Sequence, residues 1–122
     1  IATAEENSFT VQIYGENGCF KWNQENPNYL YQLMEGKPIQ ILKPGNSYLS
    51  DFSLKSSKLP PGHPEGFFDA MGNIYNGVAK TLREVETNDG SYPSINEGVR
   101  GMMFIEKVLE SNKNGNIWIK LD

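Results

Sequence analysis

The sequence predicts an α+β fold, a mainly antiparallel sheet with two helices on one face and the other face left free, and three observations predict it. The first 43 residues alternate in the manner of strands, with the period of two that a pleat requires. From Pro64 onward the apolar residues change to the spacing of a helical face. Strands come first, helices follow and one strand closes the chain, an order that favours α+β over a doubly wound parallel sheet.

Taken in order, Phe9, Val11 and Ile13 alternate with Thr10, Gln12 and Tyr14 to give a first strand over Ser8 to Tyr14. Gly15-Glu16-Asn17-Gly18 supplies residues suited to positive φ in a tight reversal. Cys19 to Trp22 returns as the hairpin partner. The polar run Asn23 to Asn28 interrupts the alternation, Tyr29 to Met34 resumes it, and Ile39 to Leu42 forms a fourth short strand after the Glu35-Gly36-Lys37-Pro38 turn. Residues 44 to 63 hold Pro44, Gly45, Pro60, Pro61 and Gly62 with little periodicity, and they read as a long loop of the kind that is often functional.

Pro64 suits a first helical turn, and Phe67, Phe68, Met71, Ile74, Tyr75, Val78, Ala79 and Leu82 then share one helical face. Gly66, Gly72 and Gly77 weaken that helix by about 1 kcal/mol each relative to Ala, which close packing against a sheet would justify. A polar stretch, Glu86 to Ser91, precedes the second helix. There Ser94 and Glu97 form the S-x-x-E capping box, and the helix runs to Ser111 with Asn114-Gly115 as its stop. Ile117 to Leu121 alternates again and reads as the last strand.

Composition narrows the function. The 122 residues carry 11 Lys plus Arg against 15 Asp plus Glu, a net charge of −4, with no basic run. That balance disfavours a nucleic-acid or anionic-membrane partner. At this length one hydrophobic core is feasible and two are not. A single cysteine, Cys19, and a single histidine, His63, leave no structural zinc cluster and point to a reducing, cytoplasmic setting. No apolar run approaches the roughly 18 residues that span a bilayer, and the N-terminus does not read as a signal peptide. Beginning at Ile1 without an initiator Met, the sequence is expected to be a piece of something longer.

The helices can cover only one face of the sheet, yet Tyr14, Tyr29, Tyr31 and Trp118 alternate onto faces that also carry Phe, Leu and Ile. The uncovered face is therefore expected to meet a second copy or another protein surface. No G-x-G-x-x-G fingerprint follows a strand, and no Ser has a His and a carboxylate close in sequence. Cys19 reads as a strand residue because nothing nearby would activate its thiol. His63, between Gly62 and Pro64 at the mouth of the first helix, is the candidate site residue. It has two readings, a helix cap with local bonds or a contact to a ligand's hydroxyl or anionic group. Glu65 reads as a first-turn helix carboxylate and Glu25 as a turn residue. Trp22, Tyr29, Tyr31 and Trp118 read as core or interface aromatics, with a sugar-stacking platform as the alternative.

Three segments carry a resemblance. They are Gln12 to Gly18 continuing through Phe20 to Leu30, then Leu59-Pro60-Pro61-Gly62-His63-Pro64-Glu65-Gly66-Phe67, then Tyr92 to Met102, with Trp118 extending the match. In this order they resemble the glucose–fructose oxidoreductase/inositol dehydrogenase (Gfo/Idh/MocA) family. The resemblance implies the latter part of the family's C-terminal domain, which forms one wall of the substrate pocket and dimerises through an open sheet. It also implies an N-terminal Rossmann domain for NAD or NADP that this sequence does not contain. The family's E-K-P lysine has no counterpart, since Lys37-Pro38 and Lys43-Pro44 lack the preceding Glu, and His63 lacks the Asp of the D-x-x-x-H pair. The resemblance places His63 near a sugar or polyol and transfers no catalytic residue.

Two functions follow as expectations. One is a substrate-binding and dimerisation piece of an NAD(P)-dependent oxidoreductase acting on a sugar, inositol or related polyol, inactive as this chain alone and without cofactor of its own. The other is a non-catalytic carbohydrate-binding or dimerisation module.

Overall fold

The computed structural model describes residues 3–83 and 90–121. The fold is α+β. Four strands form one antiparallel sheet in the order β1-β2-β3-β4, from β1 (Thr10–Gly15), β2 (Gly18–Asn23), β3 (Leu30–Met34) and β4 (Gln40–Leu42). Helices α1 (Asp51–Ser56), α2 (Phe67–Leu82) and α3 (Ile95–Lys113) follow. The chain divides into two compact units, Ile1–Asn73 and Ile74–Asp122. Residues Glu86 to Asp89 of the predicted polar stretch lie outside the described residues.

The register sorts the side chains. Val11 faces Trp22, which faces Leu30, which faces Leu42, and Ile13 faces Phe20 on the same side. The opposite side carries Tyr14, Cys19, Lys21, Tyr31, Leu33 and Ile41. Both faces are thus partly apolar, as the alternation predicts. Leu30 and Leu42 line a shallow pocket of about 270 Å³ together with Leu49 and Phe52 of the α1 region, which puts that helix on the first face.

Gly18 is required for a reason the sequence does not show. The reversal at Glu16-Asn17 uses no positive φ, whereas a Cβ on Gly18 would stand 2.2 Å from the Leu33 carbonyl oxygen and 2.9 Å from Met34 Sδ. The glycine lets β2 and β3 approach. Gly77, the one buried position of α2, meets Ser91 Oγ at 2.2 Å and Tyr92 at 3.0 Å from its would-be Cβ, so its close packing is against that segment and not against a sheet. Gly66 and Gly72 have open space around them.

Four expectations need correction. The span read as a loop contains a third helix, α1. It is capped by Ser50, whose hydroxyl accepts from the Ser53 N–H at 3.3 Å, and six residues are too few to display a helical period. Helix α2 begins at Phe67 and not at Pro64, because the preceding residues are committed to other bonds. Ile117 to Leu121 forms no strand. Its alternation is real, but a strand exists only through a partner's backbone groups, and none pairs with it among the described residues. Trp118 is 103% exposed there. Finally, no apolar side chain is buried among the described residues, so the expected single core is absent from them.

Helix α3 shows the predicted capping box in full. The Ser94 N–H donates to Glu97 Oε2 at 2.5 Å and the Glu97 N–H to Ser94 Oγ at 3.4 Å. The bonds from Ser94, backbone first and hydroxyl second, hold the Glu97 carboxyl below its ordinary 4.5. Asn114-Gly115 ends the helix as predicted, with Gly115 at φ 85°.

Candidate functional site

The segment around His63 is built from backbone restriction. Pro60, Pro61 and Pro64 each fix φ, and Gly62 takes φ 88°, a conformation that favours glycine. The His63 N–H donates to the Pro60 carbonyl at 3.2 Å, closing a turn over residues 60 to 63. His63 stands at its exposed end.

The imidazole is oriented as well. His63 Nδ1 lies 3.3 Å from the Pro60 carbonyl oxygen. A carbonyl only accepts, so this contact requires a proton on Nδ1. In the neutral ring that leaves Nε2 as a hydrogen-bond acceptor, the form suited to a ligand hydroxyl. Leu59, Phe67 and Phe68 flank the turn in sequence and are 41%, 67% and 87% exposed.

Glu65 closes the loop. One carboxylate oxygen, Oε1, accepts from the Lys58 N–H at 2.7 Å and the Leu59 N–H at 2.8 Å. Its backbone is engaged too, with the Glu65 N–H donating to Asn28 Oδ1 at 2.9 Å and Asn28 Nδ2 donating to the Glu65 carbonyl at 2.9 Å. Asn28 thereby ties the β2–β3 connection to the His63 loop. On the other side, Gly45 lies so close that a Cβ would stand 3.1 Å from the Leu59 carbonyl oxygen and from Pro61 N.

The alternatives that the sequence leaves open for single residues separate here. His63 does not cap α2, since the Gly66 N–H donates to Asp69 Oδ2 at 2.8 Å and Asp69 supplies the cap. Its own bonds are local and precede the helix. Glu65 is a loop staple and not a first-turn carboxylate. Glu25 is the predicted turn residue, its Oε1 accepting from the Ser8 N–H at 3.2 Å. Trp22 donates from Nε1 to the Pro27 carbonyl at 2.9 Å and meets the Phe9 ring edge-on at 6.2 Å, so it is engaged in packing. Tyr29 lies under Lys43 Nζ at 5.1 Å. Asn28 and Glu65 escaped sequence reasoning as partners because they are 37 positions apart. Their one signal was that both stand inside matched segments.

Among the described residues no three His, Cys, Asp or Glu side chains gather as a metal site, and no helix is long and apolar enough to cross a membrane. The glycines of the first hairpin join antiparallel strands, so the described residues supply no strand–loop–helix cradle for a dinucleotide pyrophosphate.

Near-complete likenesses accompany this geometry. An oxidoreductase from Sinorhizobium meliloti has 33% identity and a TM-score of 0.87 over 98% of this chain, which covers 34% of that protein. An inositol dehydrogenase homologue from Azotobacter vinelandii, solved with NADH and myo-inositol, has 30% identity and a TM-score of 0.86 over 97% of this chain and 33% of its own. YfiI of Bacillus subtilis, an oxidoreductase, is 32% identical over 116 residues, 90% of this chain and 30% of that protein. Over nearly its whole length the chain is similar to oxidoreductases, inositol dehydrogenase homologues among them. No family model matches the chain. The proteins similar to it are about three times its length, since it spans roughly a third of each.

Proposed function

We propose that this chain is the latter part of the C-terminal substrate-binding and dimerisation domain of an NAD(P)-dependent oxidoreductase acting on a sugar, inositol or related polyol. The observation that carries the reading is the likeness of nearly the whole chain to the inositol dehydrogenase homologue solved with NADH and myo-inositol. In this reading the dinucleotide belongs to an N-terminal Rossmann domain outside these residues, and the chain alone is inactive. His63 contacts the substrate, its Nε2 accepting a hydroxyl hydrogen while Nδ1 stays committed to Pro60. A hydroxyl-rich ligand matches that chemistry, because a polyol offers several donors to one fixed acceptor.

The apolar groups on the Tyr14, Tyr31, Leu33 and Ile41 face support self-association, with Tyr14 73% and Ile41 46% exposed. The lone cysteine and the charge balance support a cytoplasmic setting.

The test is an assay of the native polypeptide that carries this chain, with NAD and NADP against a panel of inositols, aldoses and acyclic polyols. Dinucleotide reduction with at least one polyol is expected. Carbohydrate binding without any turnover would contradict the reading and favour a non-catalytic module.

A further inference from the structure

We propose that Asn28 is a positioning residue that acts through Glu65 to fix where His63 stands, a proposal that rests on the reading of His63 as a substrate contact. Asn28 uses both ends of its amide on one residue, Oδ1 on the Glu65 N–H and Nδ2 on the Glu65 carbonyl, each at 2.9 Å. This pairing mimics two neighbouring strands exchanging backbone bonds, and it fixes both the distance and the orientation of the Glu65 peptide groups.

What it holds is stiff. From Glu65 the carboxylate reaches back to the Lys58 and Leu59 N–H groups, so residues 58 to 65 form a closed loop with His63 near its tip. Three prolines and the Pro60–His63 turn leave that loop few internal degrees of freedom. A stiff loop moves as a unit, and its placement is then decided where it is anchored. The Gly45 contact braces the Leu59–Pro61 side, and Asn28 anchors the Glu65 side. Displacing the anchor displaces the imidazole without breaking the turn, and displacement on the order of 1 Å at a binding group is costly.

Asn28 also lines the pocket shared by Leu30, Leu42 and Phe52, but its amide faces Glu65. Side-chain amides are suited to this task because Asp lacks the donor and Leu, its nearest apolar match in size, lacks both groups.

The experiment is a double-mutant cycle in the intact enzyme, with Asn28→Ala and His63→Asn separately and together. Asn28→Ala is expected to raise the polyol KM about tenfold, with kcat changed less than about threefold and the dinucleotide KM unchanged. In the His63→Asn background the same replacement should change the polyol KM less than about twofold. Asn28→Asp keeps the acceptor for the Glu65 N–H, should preserve the fold where Ala does not, and should give an intermediate polyol KM. Multiplying KM effects, or an equal rise in the dinucleotide KM, overturns the positioning role alone. A His63→Asn enzyme with unchanged kcat/KM for the polyol overturns the substrate reading of His63, and the positioning proposal with it.

Discussion

The loop from Lys58 to Glu65 and the segment from Ile117 to Leu121 are both irregular, yet they are irregular for opposite reasons. In the first, specific groups meet specific groups: the Glu65 carboxylate, the Asn28 amide and the Pro60 carbonyl account for the Lys58, Leu59, His63 and Glu65 N–H groups. The second alternates like a strand, but what ties it among the described residues is Ser111 Oγ donating to the Ile117 carbonyl at 2.7 Å. An irregular segment becomes a defined one when its backbone polar groups find partners, whatever its periodicity. The His63 loop is fixed by its own side chains. The Ile117–Leu121 segment has no strand partner among the described residues and lies beside Phe104, Val108 and Leu109 of α3.

Substitutions put this difference to the test. The largest effect is expected at Gly18, where a methyl group would press on the Leu33 carbonyl oxygen at 2.2 Å. Backbone cannot rotate away as a side chain can, so Gly18→Ala should destabilise the protein by about 3 kcal/mol in denaturant unfolding. Next comes Glu65→Ala, which strands the Lys58 and Leu59 N–H groups. It should cost about 2 kcal/mol and speed amide exchange at those two positions. The amides of Ile117 to Ile119 should exchange fast in the parent and remain unchanged in the variant. Equal exchange in both segments of the parent would remove the distinction drawn above.

Smaller effects concern the helices. Ser94→Ala should cost about 1 kcal/mol by removing half of the capping box. The pH dependence follows from Glu97. Its folded carboxyl titrates below the ordinary value of 4.5, so its contribution to the α3 entrance is fully present above that value and is lost as pH falls through the depressed one. Amide exchange at Glu97 and Gly98 should accordingly rise in acid, once the intrinsic rate is taken into account, and the rise should shrink but persist in Ser94→Ala, which keeps the backbone N–H at position 94 and loses only the hydroxyl. Gly72→Ala, with open space around the new methyl group, should stabilise α2 by about 1 kcal/mol.

Sequence periodicity made the sheet legible because each strand has its neighbour nearby in the chain, separated by turns rich in Gly, Pro and Asn. The Ser94–Glu97 box was legible because both partners lie within one turn. Helix α1 was not, since six residues carry a cap but no period. The Ile117–Leu121 strand failed because alternation states which side chains share a face and says nothing about whether a partner is there. At the site, His63 was legible as a residue between a proline-rich loop and a helix mouth, while its orientation by Pro60 and the Asn28–Glu65 tie required knowing which distant backbone groups meet. The capping alternative for His63 fell to Asp69, a residue whose place three positions after Gly66 is the ordinary signature of a helix entrance.

Whether His63 presents Nε2 to a polyol is decided by kcat/KM of His63→Asn in the intact enzyme, read alongside its melting temperature. The Asn amide can still donate to the Pro60 carbonyl in place of Nδ1 and keep the turn, but it has no atom at the Nε2 position. The expected result is a fall in kcat/KM for the polyol of about tenfold or more, a loss of about 1.4 kcal/mol in transition-state stabilisation, with the melting temperature nearly fixed. An unchanged kcat/KM would contradict the substrate contact and return His63 to a purely local role in its turn.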